Sequence, residues 1–269
     1  MLDRILKKRY LRHFYKCFEE FLEVLSGKTS LKLYLAYNYP IFYRPGFREG
    51  EKLKRNGFSI SYPKTSINEP LPDLVHLTQV ILGQYSIPEC DVKKNDIVFD
   101  VGAHIGFFSY FALNKGAKII YAFEPNPYVF EILKKHAKLW SDKIKPFEIA
   151  IYSSDGFHDL SIPHPLAGGS TLRDIDCSQK VRVKTTTLDN FVKKHKIERV
   201  DFIKIDAEGA EREIIKGAKK TIKKFKPRMA IAAYHLSDDK RVIPELVLSI
   251  RNDYRFKLVN KGDEDLFFF

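Results

Sequence analysis

Two carboxylates stand in consecutive short apolar runs, Asp100 in DIVFDVG (residues 96–102) and Glu124 in KIIYAFE (residues 118–124), 24 positions apart. In a doubly wound α/β sheet ligands collect at the carboxyl ends of strands, so the residues there are the ones placed to do chemistry. Gly102, Ala103, His104, Ile105 and Gly106 follow Asp100. Gly102 permits a tight turn and close approach of backbone to a ligand, and Gly106 lets a helix start against the sheet. The spacing is GxxxG behind an acid, not GxGxxG. An acid there repels a pyrophosphate and suits a cation such as the ammonium of an amino acid. The same string also reads as a plain strand-to-helix turn. Glu124, before Pro125, can accept both hydroxyls of a ribose, or can cap the next helix. Its spacing from Asp100 would suit a nicotinamide dinucleotide as well, but the glycine loop does not.

A third run, IKPFEIA (residues 144–150), leads through Ile151 and a serine turn to Asp155. Ala150 and Ile151 can wall an adenine ring and Asp155 can accept from its exocyclic amine, or the segment is a turn without a ligand. A fourth run, RVDFIKIDA (residues 199–207), brings Lys204, Asp206, Glu208 and Glu211 together. Carboxylates crowded beside a lysine have displaced pKa values, the mark of acid–base work or of a cation site. PRMAIAAYH (residues 227–235) ends in His235. Asp206 and His235 thus end adjacent central strands and are candidate proton acceptors or substrate clamps, although a strand-end His is also a common structural residue. Asp206, Glu208 and His235 have donor types that suit magnesium, but no second close ligand set is visible, and no metal is expected.

The elements that must position these residues are legible from about Asp96 onward. Short apolar runs alternate with amphipathic helices (residues 107–114, 126–140, 210–224 and one containing 244–252), the pattern of a parallel sheet covered on both faces. FHDLSIPHPLAGGSTL and VRVKTTTL interrupt it as a β excursion or lid, with Gly168 and Gly169 as a hinge and Ser170 and Thr171 after it. FKLVN, a KGDED turn and LFFF close the chain as a hairpin, giving six or seven strands. Ahead of the sheet, Leu11, Phe14, Phe18, Phe21, Leu22 and Leu25 recur at helical spacing over the first 25 residues, opposite a basic face. Residues 31–72 are broken by aromatics and prolines, and residues 74–82 look helical. The expected division is a mainly helical N-terminal extension, residues 1–83, and a domain over residues 84–269.

The 269 residues carry 46 Lys and Arg against 34 Asp and Glu, a net +12 that favours anionic surfaces or substrates, nucleic acid included. Cys17, Cys90 and Cys177 form no CxxC pair, which excludes a zinc ribbon, a disulfide framework and a thioredoxin-type site and leads to the expectation of a reducing, cytoplasmic setting. No apolar run reaches the roughly 20 residues of a bilayer span, so no transmembrane segment is expected.

In their order along the chain, DVGAHIGFFS, FEPNP, AIYSSDG, GGST, TTTLDNF and IKIDAEGAE followed by IIKGA resemble the FkbM-type family of S-adenosylmethionine-dependent methyltransferases. The resemblance covers roughly residues 84–235 and none of the segment before Leu74. It implies a doubly wound, Rossmann-like class I methyltransferase sheet of seven mostly parallel strands, the last antiparallel, with S-adenosylmethionine as cofactor. By motif position Asp100, Gly102, Ala103, His104 and Gly106 would form the loop at its methionine end. Glu124 and Pro125 would meet the ribose, Ala150, Ile151 and Asp155 the adenine, and Asp206 the edge shared with the acceptor. Glu208, Ser170 and Thr171 would approach the substrate. The family acts mostly on hydroxyls of small molecules and sugars, and no NPPY or DPPY string stands after the fourth run, so an oxygen acceptor is expected over a base amine. An RNA methyltransferase and a non-catalytic nucleotide-binding protein are the alternatives. Family sequences commonly carry an acid two residues before the His; here that residue is Ala233. The N-terminal segment is expected to shape the substrate pocket or a homodimer contact.

Overall fold

The computed structural model describes residues 83–269 apart from 164–168, 178 and 262, together with residue 80 and the backbone of residues 52–55 and 58–61. The helix expected over the first 25 residues, Gly168 and most of residues 31–82 lie outside the described residues. The described residues belong to one compact unit of the chain, residues 49–68 with 79–269. Strands β1 (Lys52–Arg55) and β2 (Phe58–Ser61) pair antiparallel as a hairpin.

The main sheet begins with β3 (Ile97–Val101), followed by α1 (Phe107–Asn114), β4 (Ile119–Phe123), α2 (Pro127–Trp140) and β5 (Ile144–Phe147). An excursion follows: β6 (Ala150–Ile151), β7 (Gly156–Ile162) and β8 (Gln179–Thr186), a separate three-stranded sheet in the order β6-β8-β7. The chain returns through α3 (Leu188–Lys194), β9 (Phe202–Ile205), α4 (Glu211–Lys216), α5 (Lys219–Phe225), β10 (Arg228–Ala232) and α6 (Asp239–Ile250). It ends in β11 (Phe256–Asn260) and β12 (Glu264–Phe268). The seven-stranded order is β11-β12-β10-β9-β3-β4-β5, with β12 antiparallel to both its neighbours. This is the Rossmann-like class I methyltransferase arrangement expected from the sequence. Its strand order reverses between β3 and β9, and a crevice for ligands opens at such a switch point.

The apolar runs become strands because both sheet faces are covered. Every residue of β9 is buried, as are Val98 to Val101 in β3. Phe99, Val101, Phe123, Ile203, Ile205, Met229, Ile231 and Leu266 share one core with Leu188, Phe191, Ile214 and Ile222 from the helices. Each such side chain contributes about 1.5–3 kcal/mol on burial. The start of α2 is set locally: the Asn126 side chain accepts from the Tyr128 amide at 3.0 Å, and Pro127 occupies the first turn.

Two local expectations are corrected by the fold. The third run is not one strand through Ala150: β5 stops at Phe147, and Ala150 and Ile151 pair with Thr185 and Thr186 in the smaller sheet. The helix expected over residues 210–224 is two helices. A Cβ at Gly217 would lie 2.1 Å from the Tyr152 carbonyl oxygen, and Asp189 accepts from the Lys220 and Thr221 amides at 2.9 and 2.7 Å. A carboxylate from α3 thus caps a fresh N-terminus at α5. Periodicity cannot register that, because the partner is some 30 residues away.

Candidate functional site

The loop after β3 is the centre of the site. Gly102 adopts φ +72°, and its amide and that of Ala103 donate to the Phe123 carbonyl at 3.1 and 2.9 Å. A Cβ at Gly102 would lie 1.8 Å from the Asp206 carbonyl oxygen. The β3 loop therefore rests against the end of β9 as well as the end of β4. Gly106, at φ +96°, starts α1 with Leu133 and Trp140 packed against its Cα.

Asp100 is wholly buried, one oxygen accepting from the Ser109 hydroxyl at 2.7 Å and the other 3.4 Å from the Lys204 ammonium. Lys204, equally enclosed, donates to the Gly102 carbonyl at 2.6 Å. This internal ion pair pins the glycine loop from beneath, and removing either partner would leave a buried charge. Glu124 lies at the end of β4, its two oxygens accepting from the His104 amide at 2.8 Å and the Asn126 amide at 2.9 Å. Burial holds its carboxyl above the usual carboxylate range, opposed by the nearby His104, by these two amides and by Lys204. Two amides use two of about four lone-pair positions on a carboxylate, so acceptor capacity for a pair of hydroxyls remains. Pro125 is half-buried beside it.

At the ends of β9 and β10 lies a dense polar cluster. Asp206 Oδ2 accepts from the Tyr85 phenol at 2.6 Å, and its Oδ1 is 3.4 Å from the Tyr234 hydroxyl and 3.7 Å from His235 Nε2. His235 Nε2 is 3.2 Å from Glu208 Oε2, and its Nδ1 is 3.1 Å from Glu211 Oε1. Glu211 is fully buried and also accepts from the Ala207 amide at 2.8 Å. Burial alone would depress the His235 pKa, but Glu208, Glu211 and Asp206 outweigh it and push it up to about 10. Asp206, Glu211 and His235 have the donor types of a divalent-metal site. The His235 imidazole is already engaged by Glu208 and Glu211, however, and a metal would have to displace any proton it carries.

The His235 ion pairs give a stability prediction. A base whose pKa is raised on folding contributes stability that is complete below its unfolded value near 6.5 and is lost as pH rises towards about 10. The unfolding free energy of the wild-type protein, measured by urea denaturation, should therefore fall between pH 7 and pH 9.5 by an amount on the order of a few kcal/mol, and its urea midpoint should fall with it. His235→Gln should be less stable at pH 7 and much flatter across that interval; a wild-type midpoint that rises with pH would contradict the ion-pair reading.

The segment after the β excursion reaches the same edge. Ser170 accepts from the Asn126 side-chain amide at 3.0 Å, and the Thr171 hydroxyl donates to the Glu208 carbonyl at 2.7 Å. Residues 170 and 171 thus link the ends of β4 and β9. Arg173 follows, its side chain lying over Gly209. The structure therefore brings Gly102, Ala103, His104, Glu124, Asp206, Glu208, Ser170, Thr171 and His235 to one edge. It does not bring Asp155 there by any contact: Asp155 is exposed and accepts from Thr186, Thr187 and Asn190 at the start of α3. Ala150 and Ile151 are buried in core packing.

Tyr85, Asn126 and Asp265 escaped the sequence reading. Asp265 sits at the start of β12, opposite Ala232. Burial, with Asp206 and Asp263 nearby, holds its carboxyl well above the usual carboxylate range. Tyr85 precedes the first apolar run, and Asp265 lies in the KGDED turn. Asn126 carried a signal in the FEPNP string, since Asn before Pro is a helix start.

Residues 100–258, more than half of the chain, match the methyltransferase FkbM domain. The hexuronic acid methyltransferase AglP of Haloferax volcanii is 26% identical over 176 residues, 65% of this chain and 70% of that protein. The 31-O-demethyl-FK506 methyltransferase FkbM of Streptomyces tacrolimicus is 26% identical over 204 residues, 64% of this chain and 77% of that protein. Among solved structures, the methyltransferase FkbM of Methylobacillus flagellatus superposes with a TM-score of 0.51 at 21% identity. It is matched over 73% of this chain and 54% of its own, so this chain spans about half of that protein's length. With a domain match that takes in the glycine loop and the acid–His edge, the chain belongs to the FkbM methyltransferase family and is a methyltransferase.

Proposed function

We propose that this protein is an S-adenosylmethionine-dependent O-methyltransferase acting on a hydroxyl of a small molecule or sugar. The observation that carries it is the β3 loop, whose His104 amide binds Glu124 on one side and whose Gly102 abuts the Asp206 carbonyl on the other. That loop joins a ribose-type acceptor to an acid–base cluster across one switch point. The relatives' names support the acceptor class: one is a hexuronic acid methyltransferase, one methylates 31-O-demethyl-FK506, and a 2-O-methyltransferase from Sinorhizobium fredii is 26% identical over 152 residues.

The residues fit the cofactor. Glu124 has acceptor capacity for the ribose hydroxyls, and the Gly102–Ala103 turn brings backbone to the ligand without a side chain in the way. Asp100 supports the methionine end through the loop it anchors with Lys204. When bound, S-adenosylmethionine supplies a methyl on a positively charged sulfur. The protein's own task is then to align the acceptor oxygen, exclude water and remove the hydroxyl proton. Asp206 is the residue that would take that proton. His235, with Glu208, holds the acceptor side of the cluster. Ser170 and Thr171, fixed to the β4 and β9 ends, border the approach.

Calorimetry with S-adenosylmethionine, followed by a screen of hydroxylated sugars and small molecules for isotopically labelled methyl transfer, tests the reading. Asp206→Asn should lower transfer about 100-fold or more while cofactor affinity stays within a few-fold, since a positioned base contributes roughly 10²–10⁴ to rate. No measurable cofactor binding by the wild-type protein would remove the proposal.

A further inference from the structure

Asp206 is held from outside its own strand. Tyr85 lies ahead of the family-matched residues 100–258, in the segment that leads into the sheet, and is 1% exposed. Its phenol donates to Asp206 Oδ2 at 2.6 Å, a length proper to a hydroxyl bound to a charged oxygen. The ring cannot swing away. Phe108 meets it edge-on at 5.5 Å, and the Lys204 ammonium lies over its face at 5.3 Å.

From this arrangement we infer that Tyr85 is the positioning residue of the methyl-transfer site, its buried phenol locking the Asp206 carboxylate in the orientation that receives the acceptor proton. The inference rests on the proposed role of Asp206 as proton acceptor. A carboxylate turns freely about its Cβ–Cγ bond, and a base contributes only when its oxygen is aimed at the proton to be removed. One oxygen tied by a short bond from a rigid ring removes that freedom. The bond also favours the charged form, against burial and against the neighbouring acids. Among the described residues Asp206 is faced by Tyr85 from the segment before β3, Tyr234 and His235 after β10, Glu208 after β9 and Asp265 on β12. Of the two tyrosines only Tyr85 is at short hydrogen-bond distance. Consistently, burial and the Asp206 charge hold the Tyr85 hydroxyl well above its usual pKa, so it remains a donor.

The test is a titration of the full-length protein labelled with ¹³Cγ-aspartate, Asp206→Asn identifying the resonance. Tyr85→Phe should raise the Asp206 midpoint by about one pH unit, a tenfold change in its proton affinity. Tyr234→Phe, at the longer distance, should move it by less than half as much. A Tyr85→Phe midpoint within a few tenths of wild type overturns the inference. Should that variant not fold, wild-type protein made with 3-fluorotyrosine carries a more acidic, stronger-donating phenol. Its Asp206 midpoint should fall, and an unmoved midpoint again overturns the inference. Calorimetry on the same samples separates the two readings: an unmoved Asp206 with cofactor bound defeats the role of Tyr85 alone, whereas no cofactor binding by wild type defeats the proposed function.

Discussion

Gly102→Ala should destabilise the protein by more than about 4 kcal/mol, against a total of roughly 5–15 kcal/mol for a domain of ordinary stability. Two costs add. The φ of +72° charges any side chain about 1–2 kcal/mol. The larger cost is steric, because the new Cβ would stand 1.8 Å from the Asp206 carbonyl oxygen. That oxygen is backbone and cannot rotate aside. The Asp206 amide is bound to the Val101 carbonyl at 3.1 Å, so retreat would unzip the β3–β9 pairing at the switch point. Gly169→Ala is the control: it also has a positive φ, +93°, but its Cβ would meet nothing within 4 Å, and only the backbone cost of about 1–2 kcal/mol is expected. Urea denaturation of both variants decides. If the two lose similar stability, the loop does not press on β9.

Glu124→Ala should weaken S-adenosylmethionine binding at least about 100-fold. Removing the carboxylate deletes the acceptor proposed for the ribose hydroxyls, and hydrogen bonds to a charged group contribute about 1.5–3 kcal/mol each. It also leaves the His104 and Asn126 amides without their partner, loosening the loop that carries the cofactor. Since 1.4 kcal/mol is tenfold in affinity, about 3 kcal/mol gives the stated loss. Glu124→Gln keeps one acceptor oxygen but turns an NH2 towards one of the amides, so it should fall between the two. Because burial raises the Glu124 pKa, wild-type affinity should also weaken as pH falls through a value above the ordinary carboxylate range. Calorimetry across pH, with melting curves to show that the variants are folded, tests both statements. Unchanged affinity in Glu124→Ala would refute the ribose assignment.

The legibility of the chain tracked the range of the interactions involved. α1 falls on the residues expected, and α2 begins where Asn126 and Pro127 said it would, because both depend on contacts within a turn or two. Acids and glycines at strand ends were likewise readable, since an apolar run fixes where a strand stops and which residues stand just beyond its end. The split between α4 and α5 was not, because Asp189 caps α5 from another helix. The departure of Ala150 and Ile151 from the main sheet was hidden for a similar reason: β6 exists by pairing with β8, more than 30 positions downstream.

By itself the amino-acid order determined a doubly wound sheet, the glycine turn after β3 and the acids presented at its carboxyl edge, because local periodicity and residue type suffice for these. Only the tertiary structure decided how the acids are used. Asp100 turns inward to Lys204, and Asp206 outward into a cluster that Tyr85 and His235 enter from elements distant in sequence. Asp265 joins it because β12 runs antiparallel and so begins where β10 ends. Whether a carboxylate is buried in a pair, neutralised or aimed at a reacting proton depends on partners brought together by packing, and spacing along the chain does not encode them.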